Sequence, residues 1–156
     1  MRQEARRTPA VAAQDERGTV RLVDGSGFEL RALLLEHLKR HSADRGWPHD
    51  ERTLEVVATT EGNGAVVGGL VASLLYDRLY VDLIHVDECF RGRGLGERLL
   101  LHAEAWARKN GASHAWLHTY AFQAPAFYLR CGYAQLAMIG DAGDPQAMTF
   151  FAKRIA

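Results

Sequence analysis

Val86-Asp87-Glu88-Cys89-Phe90-Arg91-Gly92-Arg93-Gly94-Leu95-Gly96 links an apolar run, Leu79 to Val86, to a helical period marked by Leu95, Leu99, Leu100, Ala103, Trp106 and Ala107. A glycine-rich turn between a strand and a helix sets consecutive backbone N–H groups at the positive end of the helix, which is the geometry of an anion site. The glycines let a phosphate approach the backbone closely, and Arg91 and Arg93 add charge-assisted donors. A tight turn with solvated arginines is the plainer alternative.

Working outward, His114 to Thr119 reads as a strand after the helix, which Gly111 stops. Strand, helix and strand then make a parallel, right-handed crossover. Upstream, Leu54 to Thr60 and Ala65 to Tyr76 are strands joined by the hairpin turn Glu61-Gly62-Asn63-Gly64. A tight turn at Asp77-Arg78 leads to the third strand, completing an antiparallel meander. On the long helix, Glu104 and Arg108 are expected to pair at i,i+4 on the face away from the core. Pro125 opens a short helix near Ala124 that ends at Gly132, followed by closing strands over Tyr133 to Met138 and Met148 to Lys153.

Near the start, residues Met1 to Gly18 have no apolar period and read as a flexible arm, leaving 19–156 as one domain. Thr19 to Val23 is a short strand, Asp24 to Gly27 a turn, and Leu30, Leu33, Leu34 and Leu38 mark one face of a helix ending near His41. Ser42 to Arg52 is a loop or a short broken helix. The fold class is α/β or α+β: a mixed, mostly antiparallel twisted sheet of about six to seven strands flanked by helices.

The 156 residues suit a single core. With 19 Lys plus Arg against 19 Asp plus Glu, the formal charge is zero, so no global field favours nucleic acid. Cys89 and Cys131 form no CxxC motif, which argues against a zinc site or a disulfide scaffold and for a reducing, cytoplasmic setting. The longest apolar stretch, Ala65 to Tyr76, is too short to span a bilayer.

Spacing separates the phosphate-binding motifs. A dinucleotide fingerprint starting at Gly92 needs glycine or alanine where Glu97 stands and an acid about twenty residues on, near Trp116. A Walker A loop needs Gly-Lys-Ser/Thr, and no lysine is near. The pattern that remains is Arg-x-x-Gly-x-Gly. With Leu99-Leu100 after it, the Val86 to Gly96 segment resembles the acyl-CoA pyrophosphate loop of the Gcn5-related N-acetyltransferases (GNAT). Ala126-Phe127-Tyr128-Leu129-Arg130-Cys131-Gly132-Tyr133 is similar to the second motif of that family, a short helix carrying a tyrosine. Together the likeness covers about Leu54 to Arg154, and Phe122-Gln123-Ala124-Pro125 resembles a bacterial subgroup of small, single-domain members.

The resemblance implies an acyl-CoA-dependent N-acyltransferase that uses acetyl-CoA or another acyl-CoA as co-substrate and no metal. Main-chain groups of Ile84, His85 and Val86 would hold the pantetheine arm and polarise the thioester. Arg91, Gly92, Arg93, Gly94, Leu95 and Gly96 would hold the pyrophosphate, with Gln123, Phe127 and Tyr128 completing the cofactor site. Gln123 stands where an asparagine is frequent. Tyr128 matches the tyrosine that protonates the departing thiolate, and a phenol with a pKa near about 10 can donate at neutral pH. A helix aromatic packed in the core is its plainer reading.

Alkyl ammonium acceptors must lose a proton before attack. Asp82 is the first candidate base, on the strand face of Tyr80, where some family members carry a catalytic glutamate, and desolvation within the strand would raise its pKa. A pair with a neighbouring cation is the alternative. His85 and His118 are the next candidates. His37 and His41 lack a third ligand, and His114 and His118 lie about 13 Å apart on a strand, so no metal site is expected. Cys89 and Cys131 read as small packing residues, which favours direct attack in a ternary complex over an acyl-enzyme.

Asp44, Trp47, His49, Asp50, Asp141 and Asp144 in the loops Ser42 to Arg52 and Ile139 to Gln146 would flank a cationic acceptor, a small-molecule amine ahead of a peptide amine. A catalytically silent acyl-CoA sensor, or transfer from a carrier protein, would fit the same motifs. Family members often dimerise, so a homodimer is expected.

Overall fold

Glycines at Gly62 and Gly64 (φ 105° and 68°) reverse the chain between β3 (Arg52–Thr59) and β4 (Val66–Leu75), a conformation costly for residues with a Cβ. The computed structural model describes residues 28–156 and, ahead of them, only the two-residue strands β1 (Gln14–Asp15) and β2 (Gly18–Thr19), which pair antiparallel. Apart from those four residues, the arm expected over Met1–Gly18 and the strand and turn expected over 19–27 lie outside the described residues.

The second turn of the meander falls at Tyr76-Asp77, one residue earlier than the spacing suggested, with Tyr76 at φ 56°. It leads into β5 (Arg78–Val86), a 3-10 turn (Glu88–Phe90) and the helix α2 (Leu95–Lys109). β6 (His114–Tyr120), α3 (Pro125–Arg130), β7 (Ala134–Ile139) and β8 (Met148–Arg154) follow. The six-stranded sheet has the order β3-β4-β5-β6-β8-β7 and is antiparallel except between β5 and β6. That is the mixed sheet expected from the sequence.

Alternation along the strands sends one set of side chains towards α2 and α3. Leu70, Leu74, Leu79, Leu100, Leu117 and Phe151 are at most 2% exposed there, each contributing roughly 1.5–3 kcal/mol by burial. Gly68 and Gly69 allow close strand packing: a Cβ would stand 2.7 Å from the His85 carbonyl oxygen and 2.8 Å from that of Val56.

Two expectations change. Glu104 does not pair with Arg108 on the outer face. It is 3% exposed, and Lys153 Nζ of β8 donates to both its carboxylate oxygens at 3.0 and 2.8 Å. Burial makes a partner obligatory, and Lys153 is the cation within reach. The leucines of α1 (Phe28–Ala43) form the expected stripe, but Leu30, Leu33, Leu34 and Leu38 are each more than half exposed and stand outside the core cluster.

Candidate active site

The parallel ladder between β5 and β6 is three pairs long, Arg78 with His114, Leu79 with Ala115 and Tyr80 with Trp116. Beyond Tyr80 the strands part. On the other side of β5 the register with β4 moves from Ala72–Val81 to Val71–Leu83, so Asp82 is the extra residue of a β-bulge. Bulge and splay together leave the edge of Val81–Val86 that faces β6 without a strand partner, and its N–H and C=O groups need one.

A cavity of about 990 Å³ fills the opening. β5 supplies Val81 to Val86, the glycine-rich turn one end, β6 contributes His118 to Tyr120, and α3 closes the side with Phe127 and Tyr128. Every candidate catalytic or cofactor residue named from the sequence lines it except Arg93, whose guanidinium sits 5.9 Å from the Phe90 ring centroid. Sequence reasoning gave no site role to Glu97, Thr119, Tyr120 and Phe122, which also line it, and it read Cys131, another lining residue, as packing.

The turn is built as an anion site requires. Gly92 and Gly94 have φ 72° and 74°, and Gly94 caps α2 with no side-chain hydrogen bond to its first turn. Those helix N–H groups have no capping partner. Gly96 is the second residue of α2, where a Cβ would come 3.2 Å from Phe127 Cζ, so this glycine also lets α3 close against α2. Arg91 is more committed than its charge suggested: Nε donates to the Val86 carbonyl at 2.8 Å and Nη1 reaches Glu88 Oε1 at 3.5 Å.

Tyr128 is 8% exposed among Phe127, Tyr133 and Phe151, with ring centroids at 5.1, 6.2 and 5.7 Å. Burial, and secondarily the adjacent Cys131, push its phenol above the usual 10.0. The core reading and the cavity reading of this tyrosine thus coexist in one side chain. Gln123 Oε1 accepts from Thr119 Oγ1 at 2.8 Å and from Tyr120 N–H at 2.9 Å, which leaves its amide N–H₂ as the free end.

The candidate bases differ in setting. Asp82 is exposed: it shares the strand face of Tyr80, opposite the buried Leu79 and Val81, and is the extra residue of the bulge. His85 is exposed at the strand end, with Nε2 3.4 Å from Asp87 Oδ1. His118 is half-buried, with Nδ1 3.2 Å from the Tyr80 hydroxyl. Cys131 is half-buried at the cavity wall, and burial raises its thiol pKa; Cys89 is exposed rather than packed, in the turn that precedes the glycines. Among the described residues no three His, Cys, Asp or Glu side chains come together as metal ligands, and no helix is long and apolar enough to cross a membrane.

The two loops expected beside the acceptor do not line the cavity. Trp47 packs edge-on against Tyr76 at 5.9 Å, at the closed end of the strand pair. The second loop comes nearer, since Pro145 accepts from Phe122 N–H at 3.1 Å.

An open edge on β5, a glycine-built anion site and a tyrosine-bearing helix are arranged around one cavity, and the acetyltransferase (GNAT) family model matches residues 27–133. The chain belongs to the GNAT family. It is 45% identical over 95 residues to blasticidin-S acetyltransferase of Streptomyces morookaense, covering 59% of this chain and 70% of that one. Its fold matches a solved acetyltransferase-type chain of Agrobacterium tumefaciens with TM-score 0.74 at 31% identity, over 85% of this chain and 96% of the other. An acetyltransferase-type chain of Bacillus anthracis, in complex with acetyl coenzyme A, shares the fold at TM-score 0.59 and 19% identity, over 70% of this chain and 66% of that one. As a GNAT protein this chain is an acyl-CoA-dependent N-acetyltransferase.

Proposed function

We infer that this acetyltransferase moves an acetyl group from acetyl-CoA to a primary amine of a small molecule, by direct attack in a ternary complex. The observation that carries the reading is the parting of β5 and β6 immediately after Tyr80, with the anion turn at one end of the opening and Asp82, His118 and Tyr128 along its walls. A pantetheine arm is an amide chain, and the unpaired edge of Ile84 to Val86 has the donors and acceptors that such a chain can pair with. The turn from Arg91 to Gly96 takes the pyrophosphate through N–H groups, Arg91 contributes the guanidinium nitrogen left free by Val86 and Glu88, and Arg93 adds charge from outside. Gln123 offers its free amide N–H₂, and Phe127 forms the apolar wall.

In this reading a base takes one proton from the ammonium. The amine lone pair attacks the thioester carbonyl, whose oxygen is held by a β5 N–H, and the C–S bond breaks as the carbonyl re-forms. The second nitrogen proton goes to the base or solvent, and the thiolate takes a proton from Tyr128, whose raised pKa keeps it protonated well past neutrality. His118, in the cavity wall, and Asp82 are the proton acceptors, with His85 the more solvated alternative. The loops Ser42 to Arg52 and Ile139 to Gln146 do not line the opening, so their acids lend no support to a cationic acceptor. The likeness to an enzyme named for blasticidin-S supports an amine of antibiotic size.

Thiol release from acetyl-CoA, followed with a chromogenic thiol reagent across nucleoside and aminoglycoside antibiotics, polyamines, amino acids and lysine peptides, tests this. Turnover with a small amine, lost on Tyr128→Phe, is expected. Thermal stabilisation by CoA with no thiol release from any amine would instead support a sensor, and turnover with lysine peptides alone would overturn the small-molecule acceptor.

A further inference from the structure

Tyr80 belongs to no motif and lies behind the cavity wall, yet its side chain stands where the sheet opens. Tyr80–Trp116 is the last parallel pair, so an unbroken ladder would set Asp82 beside His118. The bulge removes Asp82 from that register, and the strands part. The Tyr80 hydroxyl spans the gap instead, 3.2 Å from His118 Nδ1, with the two rings nearly parallel (13°) and their centroids 6.1 Å apart. Trp116 lies against the other side of the phenol at 4.3 Å, and Phe150 against the imidazole at 5.9 Å, so both rings are held by apolar neighbours rather than by solvent.

We propose that Tyr80 is a positioning residue for acetyl transfer, one that commits Nδ1 of His118 and leaves Nε2 as the base for the acceptor amine. The inference rests on the transferase reading above and assigns its proton acceptor. A phenol both donates and accepts. With its oxygen 3.2 Å from Nδ1, Tyr80 accepts the Nδ1–H of His118, which selects the tautomer with a lone pair on Nε2. When Nε2 takes the ammonium proton, the positive charge on the imidazole faces the phenol oxygen. Burial, and secondarily the negative charge of Asp82, raise the Tyr80 pKa, so the phenol remains neutral. Among the described residues Tyr120 on β6 also faces His118, edge-on at 6.5 Å, while β8 presents Phe150.

Wild type, Tyr80→Phe, His118→Gln and the double variant would be compared with the best acceptor found in the thiol-release assay, over a pH series, alongside long-range ¹H–¹⁵N spectra of the histidines. Expected are a wild-type His118 protonated at Nδ1, a loss of that preference in Tyr80→Phe, and a fall in kcat of about tenfold or more. The KM for acetyl-CoA should stay within about twofold and the acidic limb of the pH profile should move. The double variant should be no slower than His118→Gln alone, because the phenol acts through the imidazole. An active Tyr80→Phe with unchanged kcat, pH limb and His118 tautomer overturns the proposal while leaving the transferase reading intact, and additive losses in the double variant do the same. A wild-type protein silent towards every amine overturns both.

Discussion

Arg91 Nε donates to the carbonyl oxygen of Val86 at 2.8 Å, tying the glycine turn back to the last residue of β5. The same side chain reaches Glu88 at 3.5 Å, so one guanidinium holds the strand end, the 3-10 turn and the start of the anion loop in register. A lysine keeps the charge but lacks the planar fork that serves several partners at once. Arg91→Lys should therefore raise the KM for acetyl-CoA by about tenfold, equivalent to about 1.4 kcal/mol, with kcat within about threefold. Steady-state kinetics at saturating acceptor would check this, and an unchanged KM would mean that the tether does not organise the loop.

Gly94 and Gly96 should fail for different reasons. Gly94 has φ 74°, and a Cβ there would meet nothing within 4 Å, so its constraint is conformational. Gly94→Ala should cost about 1–2 kcal/mol, and Gly94→Asn less, since asparagine tolerates the left-handed region. At Gly96 the constraint is space, 3.2 Å to Phe127 Cζ, and Gly96→Val should push α3 from α2 and weaken CoA binding. Denaturant melts and CoA calorimetry separate the two: Asn at position 94 should recover stability, while Asn at position 96 should recover neither stability nor binding.

Tyr128 and Tyr133 both have phenol pKa values above the usual 10.0, chiefly through burial, with the Glu104 carboxylate next in importance at Tyr133. Because folding disfavours their phenolates, this contribution to stability is complete below pH 10 and is lost as the pH rises above it. Unfolding midpoints in denaturant should thus decline from about pH 10 upward, and less steeply in Tyr133→Phe. The Tyr133 hydroxyl is buried with no hydrogen-bond partner among the described residues, so its removal should leave neutral-pH stability unchanged or slightly higher. A loss of about 2 kcal/mol or more at pH 7 would count against that account.

How much of this could be read from the sequence depends on how local each feature is. The anion turn was legible because glycine at positive φ, arginine and a helix start follow one another within a few residues. The hairpin at Glu61–Gly64 and the proline start of α3 were legible for the same reason. The bulge at Asp82 was not legible because it is set by registry with β4, and neither glycine nor proline marks it on β5. Glu104 looked like a surface residue by its spacing to Arg108, whereas its partner, Lys153, is 49 residues away. The contact between Tyr80 and His118 spans 38 residues and exists only because two strands pair and then separate.

Lys153 links the buried charge to the site. Its ammonium donates to both oxygens of Glu104 and, at 3.0 Å, to the carbonyl of Cys131, the residue that ends α3 and lies three positions after Tyr128. Lys153→Met removes the counter-ion of a carboxylate that is 3% exposed and should cost about 3–5 kcal/mol, because the remaining charge is stranded. Glu104→Leu combined with Lys153→Met removes both charges and should regain most of that loss. The carbonyl of Cys131 stays without its donor in the double variant, so stability and activity should separate: the melt recovers while kcat remains depressed, as expected if Lys153 also fixes the helix that carries Tyr128. Recovery of both together would confine Lys153 to neutralising Glu104.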